Sequence, residues 1–339
     1  MGHNHEPCLR KTSIPEASAR QHLCNAGGQT RMDVLVKTAQ PEINLRAAFK
    51  NKLGLPTETE SHLAGAIQHA LEHPGNMIRA ELAYHLARIY QIEPDRAQSL
   101  AIAVEYFHTA SLLFDDLPCM DNASQRRGAA CAHRSWGEGA AILAALALIN
   151  RAYGLIWQSV AGLSPRTQTR ALQYVEQHLG IAGLLNGQSQ DLHYVASLRH
   201  PHRHQQIAIG KTVSLIRMPL VLPAILSDAS AQEICLLERL SVVWGLCYQI
   251  LDDLKDVLHA PGEGGKTVAR DAEMNRPNLA LTIGLAASFR RVSRLMRLSD
   301  RIVARLTARS RSLSFLDNTR RRFQMEMEAL SHSAFAQSL

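Results

Sequence analysis

Adjacent aspartates that follow an apolar stretch are the first residues in this sequence whose types and spacing could do chemistry. The apolar run 106–114 leads into Asp115 and Asp116, and Asp121 follows shortly afterwards. Carboxylates beside an apolar segment are costly to bury without positive charge, and Mg²⁺ is a natural partner because it binds one or two carboxylates together with substrate phosphates. Pro118 predicts that the helix ends just after the pair, which would let Asp121 turn back toward Asp115. A solvated acidic turn explains this stretch, taken alone, equally well.

A second pair of aspartates follows another apolar stretch. Residues 245–251 lead into Asp252 and Asp253, and Asp256 lies one helical turn after Asp252. Residues four apart share a helix face. Helical bundles build metal sites from carboxylates on facing helices. The two clusters, far apart in sequence, therefore predict a bundle with both sets of carboxylates lining one mouth.

Composition favours a helical protein that binds anions. Of the 339 residues, 46% are hydrophobic and only 5% are aromatic, and the abundance of Ala and Leu favours helices. The formal net charge of +7 suits diphosphates and other anionic partners. Aromatic and basic residues do not interleave in the way that stacks single-stranded bases, so we do not expect nucleic acid as a partner.

Cysteine usage and hydropathy indicate a cytoplasmic protein. The six cysteines show no CxxC pair and no zinc-ligand spacing, which predicts free thiols in a reducing compartment. The longest uninterrupted apolar run, Gly139 to Ile149, is well short of the ~20 residues that span a bilayer. No secretory signal pattern opens the chain. We therefore predict a soluble, cytoplasmic protein without a transmembrane segment.

The chain divides into a tail and one helical domain. Residues 1–43 lack apolar periodicity and are rich in polar and basic residues, which predicts a flexible N-terminal extension. A single all-α domain over residues 44–339 follows. The sequence TETE at 57–60 predicts the start of a helix that runs to about Glu72. Pro219 and Pro223 predict a kinked or broken helix.

The two aspartate clusters resemble the two aspartate-rich motifs of the trans-isoprenyl diphosphate synthases, and the resemblance covers about residues 47–313. It implies an all-α bundle of ten or more helices around a deep apolar cavity. It also implies a homodimer with Mg²⁺, three ions per site, and head-to-tail prenyl transfer from an allylic diphosphate to isopentenyl diphosphate. By this resemblance Asp115, Asp121 and Asp252 hold the metal, and Asp116 and Asp256 lie close by.

Further residues resemble those that contact the allylic substrate in this family. Residues 187–191 resemble its Gly-Gln-x-x-Asp motif and include Gln188. Residues 262–271 resemble its Gly-Lys-x-x-Gly-x-Asp loop, although Ala269 replaces the second glycine. The resemblance assigns Arg126, Lys211 and Lys266 to the allylic diphosphate, Arg276 to the next lysine position, and Thr212 and Gln249 to the allylic cation.

The homoallylic site shows the main departure from the family pattern. The family carries a Gly-Lys-x-x-Arg motif that grips the diphosphate of isopentenyl diphosphate. Gly75 and Arg79 match it, but Asn76 replaces the lysine and removes a full charge. His108 and Arg127 match the other homoallylic ligands. The sequence therefore predicts weakened binding of the homoallylic substrate.

Small residues before the first aspartate predict the length of the product. Ala110 and Ser111 lie five and four residues before Asp115, where farnesyl-length enzymes of this type generally have an aromatic residue at the first position. Phe107 and Tyr106 lie one turn deeper and are large enough to stop a prenyl tail. We expect a C20 product, geranylgeranyl diphosphate.

Two other functions fit parts of the sequence. Asn76 would suit a catalytically weak partner subunit of a prenyl synthase. A class I terpene cyclase or diphosphate lyase could share the bundle. The resembled cyclases, however, carry an Asn, Ser and Glu arrangement where this chain has Asp252, Asp253 and Asp256.

Overall fold

The computed structural model describes residues 44–195, 200–258 and 276–336. The predicted N-terminal extension and Lys266 lie outside these residues, so the domain boundary and the role of Lys266 stay predictions. Four cysteines fall within the described residues, and all are free thiols, as expected: Cys119, Cys131, Cys235 and Cys247.

The described chain is almost entirely helical, which confirms the all-α prediction. The α-helices are α1 Leu45–Asn51, α2 Ser61–Glu72, α3 Ile78–Ile89, α4 Pro94–Asp115, α5 Ala132–Trp136, α6 Glu138–Val160, α7 Pro165–Leu179, α8 Asn186–Leu192, α9 Pro201–Ala208, α10 Ser214–Leu226, α11 Ala231–Leu258, α12 Leu279–Ile283, α13 Leu285–Arg309 and α14 Leu316–Ala336. Two π-helical turns, Ile181–Leu185 and Ile209–Val213, lead into α8 and α10, and a 3₁₀ turn, Arg311–Phe315, precedes α14. Two short antiparallel strands, β1 Gln125–Arg126 and β2 Ala129–Ala130, form a hairpin after α4.

Side-chain caps explain where the first helices begin. Asn44 caps α1, because its side chain accepts a hydrogen bond of 2.9 Å from the backbone N–H of Ala47. Glu60 caps α2 by accepting from the N–H groups of His62 and Leu63. The TETE stretch therefore supplies the cap through its last residue, and α2 begins at Ser61 instead of within the stretch. The helix ends at Glu72, as predicted.

The two helices that carry the aspartate clusters are held by the core. α4 is buried along most of its length and packs against α3 and α6. α10 is buried at nearly every position and contacts both α4 and α11. Burying each large aliphatic side chain contributes about 1.5–3 kcal/mol. α10 therefore fixes the separation of the helices that end in the first and second carboxylate clusters.

The two prolines of α10 do not break it. Pro219 and Pro223 both lie inside the continuous helix Ser214–Leu226. Each proline removes one backbone hydrogen bond from the helix, at a usual cost of about 3 kcal/mol. Because the surrounding side chains of α10 are buried against α3, α7 and α11, tertiary packing offsets that cost. The predicted break is wrong.

Three helical stretches among the described residues are long and apolar enough to cross a membrane when length and composition alone are considered: Glu138–Val160, Pro201–Leu226 and Ala231–Leu258. In the fold, 67% and 61% of the most apolar windows of the second and third are buried, against 39% for the first. The first stretch is α6, and it exposes several large apolar side chains: Ile142, Leu143, Leu146 and Trp157.

Candidate active site

A cavity of about 480 Å³ lies among α3, α4, α6, α9, α11 and the two π-helical turns. Along α4 its lining changes from Phe107 and Ser111 to Asp115, and along α11 it runs from Tyr248 to Asp256. Apolar parts of the lining come from five elements besides α4: Ile149 and Tyr153 of α6, Leu179 of α7, Leu184 and Leu185 of the first π-helical turn, Ile207 of α9 and Leu215 of α10. The cavity therefore combines an apolar interior with carboxylates contributed by two helices.

The first aspartate cluster forms where α4 ends. The helix stops at Asp115, and the backbone N–H of Asp121 donates a 2.9 Å hydrogen bond to the carbonyl of Asp115. This is the return of the chain that Pro118 predicted. Gln188 Nε2 donates to Asp115 Oδ1 at 2.8 Å. Burial raises the pKa of Asp115, and the neighbouring Lys211 ammonium opposes that rise.

Two cations meet the first cluster. Lys211 Nζ donates to Asp191 Oδ2 at 2.8 Å and lies 4.0 Å from Asp115 Oδ1. Burial acts to lower the pKa of Lys211, but the two carboxylates outweigh it and raise that pKa, so the ammonium stays charged. Arg276 donates to Asp121 Oδ1 at 3.1 Å and to the Met120 carbonyl at 2.7 Å. The carboxylates at this mouth are thus compensated by the protein itself.

A close crossing of backbones positions Lys211. The two π-helical turns lie side by side, and such turns often occur at functional sites. A Cβ added at Gly187 would lie 2.3 Å from the backbone N of Lys211 and 2.4 Å from the carbonyl carbon of Gly210. Only glycine permits this approach. Gln188, which follows Gly187, and Lys211 consequently reach the same carboxylate from adjoining segments.

The second aspartate cluster lines the cavity from α11 with all three of its carboxylates, Asp252, Asp253 and Asp256. Asp253 accepts a 2.8 Å hydrogen bond from Gln249 Nε2 and another of 2.8 Å from the backbone N–H of Leu279. Thr212 Oγ1 in turn donates to Gln249 Oε1 at 2.7 Å. Asp253 therefore anchors α12 and fixes the orientation of the Gln249 amide.

Asp116 faces away from the main cavity. It is only 3% exposed, and Arg126 Nε donates to its Oδ1 at 2.9 Å. Arg126 itself lines the cavity, whereas Asp116 lines a small separate pocket behind it. The sequence pattern placed Asp116 near the metal ions. The structure instead places it where it orients the Arg126 guanidinium.

The predicted homoallylic ligands form a cationic wall. Arg79 and His108 line the cavity, and Arg79 Nε and His108 Nδ1 are buried with no hydrogen-bond partner among the described residues. Burial, together with Arg79 and Arg127, holds the pKa of His108 well below its ordinary value. Beneath them lies Glu105, which is 1% exposed. Sequence reasoning missed it, although a glutamate inside an apolar helix was a usable signal.

The loop before α3 supports this wall. Gly75 has a φ of +72°, and a Cβ there would lie 2.6 Å from Arg127 Nε. Arg127 Nη1 donates to the His73 carbonyl at 2.7 Å, and Arg46 Nη2 donates to the Gly75 carbonyl at 2.8 Å. Asn76 is exposed, and its side chain accepts from the Ile78 N–H at 3.3 Å. Gly75, Asn76 and Arg127 adjoin the cavity without lining it.

The residues predicted to set chain length separate into two groups. Phe107 and Ser111 line the cavity, and the Phe107 ring meets Tyr153 edge-on with centroids 5.0 Å apart. Ala110 and Tyr106 are fully buried and do not line it. Tyr106 donates from its hydroxyl to the Phe49 carbonyl at 2.6 Å. Tyr153, on α6, was not singled out from the sequence because a lone tyrosine in an apolar helix carries no spacing signal.

The carboxylates fit a hard cation that is shared with a substrate. Within the described residues, no three His, Cys, Asp or Glu side chains are grouped to hold a metal ion by themselves. Asp115 and Asp121, at and just after the end of α4, line the same cavity as Asp252 and Asp256 of α11. Mg²⁺ prefers oxygen ligands and commonly takes one or two carboxylates, with water and substrate phosphates completing its shell. The donor set suits that arrangement.

Comparison with known proteins places this site in context. Residues 60–303 match the sequence model of the polyprenyl synthetase family. A geranylgeranyl diphosphate synthase from Pantoea ananas is 36% identical over 212 residues, 62% of this chain and 70% of that protein. A chloroplastic geranylgeranyl pyrophosphate synthase from Capsicum annuum is 32% identical over 221 residues, 65% of this chain and 60% of that protein. The matched region thus spans between 60% and 70% of these two relatives.

Solved structures share the architecture. A geranyltransferase from Helicobacter pylori, complexed with magnesium and isoprenyl diphosphate, superposes with a TM-score of 0.71 at 24% identity, covering 86% of this chain and 94% of that chain. An FPP/GFPP synthase from Zymomonas mobilis superposes with a TM-score of 0.68 at 22% identity, covering 79% and 91%. At such identities the likeness concerns the fold, and it agrees with the predicted helical bundle.

Proposed function

Because the chain belongs to the polyprenyl synthetase family, we propose that it is a Mg²⁺-dependent prenyltransferase. It would join isopentenyl diphosphate head-to-tail to an allylic diphosphate and yield geranylgeranyl diphosphate. The observation that carries this proposal is the cavity itself, in which Asp115 and Asp252 lie on different helices above an apolar interior. The C20 product is supported by the Pantoea and Capsicum relatives, both geranylgeranyl diphosphate synthases.

The carboxylates at the mouth would hold the metal, for which we propose three ions per site. Asp115, Asp121, Asp252 and Asp256 are the residues placed to do so. Bound Mg²⁺ would neutralise the charge that develops on the departing diphosphate. Lys211, Arg126 and Arg276 are positioned to add fixed positive charge around the same diphosphate, and preorganised charge of this kind usually dominates catalysis.

Thr212 and Gln249 would meet the allylic cation once the diphosphate has left. Both line the cavity, and they are joined by a 2.7 Å hydrogen bond. Asp253 holds the Gln249 amide nitrogen, so the amide oxygen stays turned toward Thr212. Oxygen dipoles fixed in this way stabilise a carbocation without needing to reorganise during the reaction.

Arg79 and His108 would bind the diphosphate of isopentenyl diphosphate. Their unpartnered buried nitrogens point to an anionic guest, because a buried donor without an acceptor costs about 1–3 kcal/mol. Arg127, held by the His73 carbonyl, adds charge behind them. The double bond of isopentenyl diphosphate attacks the cation, and the released diphosphate then accepts the proton that is lost.

The direct test is an incubation of purified protein with Mg²⁺, isopentenyl diphosphate and each allylic starter in turn. We expect chain elongation that ends at C20. A hydrocarbon, or the alcohol of the allylic starter without any added isoprene unit, would contradict the proposal and indicate a cyclase or lyase. Formation of no product with any starter would favour the other candidate, a weak partner subunit, for which Asn76 is the supporting feature.

Asn76→Lys should lower KM for isopentenyl diphosphate about tenfold to a hundredfold. A charge-assisted hydrogen bond contributes about 1.5–3 kcal/mol. Asn76 is exposed beside the cationic wall, so a lysine has room to reach the diphosphate. Steady-state kinetics with a saturating allylic starter would measure the change.

Asn76→Met is the matched control for this variant. It also removes the side-chain bond to the Ile78 N–H and has nearly the length of lysine, but it adds no charge. We expect KM to fall only in the lysine variant. Equal values of KM in the wild type and both variants would show that residue 76 does not reach the homoallylic diphosphate.

The exposed apolar face of α6 supports a homodimer. Ile142, Leu143, Leu146 and Trp157 of α6 are between 37% and 58% exposed. Large exposed apolar surface of this kind usually marks an interface. We propose that a second copy covers it in the cytoplasm. Sedimentation of the full chain should give twice 37.5 kDa, and a monomer at micromolar concentration would contradict the assignment.

A further inference from the structure

A line of arginines on α13 takes no part in the proposed reaction. The helix, Leu285–Arg309, contains seven arginines and a single acidic residue, Asp300. Six of the arginines are exposed, and the first five form the line: Arg290, Arg294, Arg297, Arg301 and Arg305. Their spacing of four, three, four and four residues places them on one helix face. At 1.5 Å per residue the line is about 22 Å long.

The opposite face of α13 fixes this line toward solvent. Val292, Met296, Ile302, Val303 and Leu306 are all at most 3% exposed. They pack α13 against α11 and α14. The helix therefore cannot rotate its arginines into the protein without exposing this apolar side.

Side chains of the described residues do not neutralise the positive charge of these five arginines. Asp300 is bonded to Arg320 of α14, with Nε 2.7 Å from Oδ1. Among the described residues, no ion pair or side-chain hydrogen bond involves any of the five arginines. The other two arginines of α13 do have partners: Arg291, off the line, bonds to Gln205, and Arg309, one turn beyond Arg305, bonds to Gln232. Like charges at this spacing repel one another, so the line costs stability unless an external anion meets it.

The chemistry of the line fits a plane of phosphates. Guanidinium groups bind phosphate oxygens in pairs. The exposed side of α13 offers no large apolar side chain to fill a pocket on a protein partner, and no exposed aromatic ring to stack a base. A straight row of charges on a firmly packed helix is suited to a flat anionic surface.

We propose that this face of α13 docks the protein on an anionic phospholipid surface. Contact is electrostatic and does not insert the helix, because the apolar face of α13 is occupied by the core. The line begins beside the active site, since Arg291 is bonded to Gln205 of α9, a helix whose His204 and Ile207 line the cavity. The long apolar tail of a prenyl diphosphate released there would meet lipid directly. That last point depends on the proposed function, whereas the docking itself does not.

The test uses the full chain and vesicles of phosphatidylcholine with and without 30% phosphatidylglycerol, in 0.1 M salt. We expect co-sedimentation with the anionic vesicles alone, weakening as salt is raised. The double variant Arg297→Gln/Arg301→Gln should lower the partition constant about thirtyfold, since each basic residue near such a surface changes it about fivefold. Its melting temperature and its turnover of soluble substrates should match those of the wild type.

Arg166→Gln/Arg170→Gln is the matched control. These two arginines are also exposed and four residues apart, on α7, and their loss changes the net charge equally. We expect partition within about twofold of the wild type. Absence of vesicle binding by the wild type, equal loss in both double variants, or equal binding to neutral vesicles would overturn the proposal. Tighter binding to a DNA duplex than to anionic vesicles would overturn it as well, and would assign the face to nucleic acid.

Discussion

Replacing Asp115 or Asp252 with asparagine should lower kcat at least a thousandfold. We propose each carboxylate as a ligand of Mg²⁺. Losing a metal ligand removes several kcal/mol of stabilisation from the developing charge, and about 1.36 kcal/mol corresponds to a factor of ten in rate. Asparagine keeps the shape of the side chain. At position 115 it also keeps an oxygen that can accept from Gln188. Single-turnover kinetics with saturating Mg²⁺ would measure the effect.

Asp300→Asn is a suitable control, because Asp300 is exposed on α13 and, within the part of the chain that the structure describes, pairs only with Arg320. Its turnover should stay within about twofold of the wild type. The melting temperatures of the three variants would show that the fold is retained. Near-normal turnover in the Asp115 or the Asp252 variant would remove the basis for the metal assignment.

Phe107→Ala should extend the product beyond C20. Phe107 lies eight residues before Asp115, about 12 Å along α4, and its ring closes the cavity together with Tyr153. A helix turn of 5.4 Å nearly equals one isoprene unit of about 5 Å, so lowering the floor by one turn adds about one unit. Ser111→Phe raises the floor by one turn and should shorten the product to C15. Chromatography of the dephosphorylated products would resolve all three lengths.

Two further variants distinguish this floor from the one predicted by the sequence. Tyr106→Phe removes only the hydroxyl bond to Phe49, so it should cost about 1 kcal/mol of stability and leave product length unchanged. Ala110→Phe introduces the aromatic residue that farnesyl-length enzymes generally have at this position, and the sequence comparison therefore predicts a C15 product. Because Ala110 is fully buried outside the cavity lining, a ring there has to displace its core neighbours to reach the tail. Unchanged product length in the Phe107 variant would contradict the assignment of this floor.

Local rules explain which features of the fold were predictable. Pro118 and the apolar run before Asp115 specified the end of α4 and the return of Asp121, since both follow from backbone geometry. Asn44 likewise marked the first helix start through its capping side chain. Of the kink or break predicted at Pro219 and Pro223, the break was wrong because the prediction ignored burial. Packing of α10 on α3, α4, α7 and α11 outweighs the local preference.

In the candidate site, too, spacing along the chain predicted some features, whereas others depend on tertiary contacts. Spacing placed Asp115, Asp121, Asp252 and Asp256 together, and the structure lines one cavity with all four. Spacing alone could not distinguish the role of Asp116, which orients the Arg126 guanidinium, from that of its neighbour Asp115. Nor could it reveal Tyr153, whose contact with Phe107 joins helices far apart in sequence. Such pairings depend on tertiary structure, which local patterns do not encode.

The cations already present at the mouth have a consequence for the order in which ligands arrive. Lys211 and Arg276 satisfy Asp115, Asp191 and Asp121 before any ligand binds. A lone divalent ion would have to compete with these tethered counter-ions for the same oxygens. A diphosphate that arrives with its metal ion brings negative and positive charge together. The Lys211 ammonium and the Arg276 guanidinium can then exchange a carboxylate partner for a phosphate partner, and the local charge changes little. Metal and allylic substrate are therefore thermodynamically linked ligands, each raising the affinity of the free enzyme for the other.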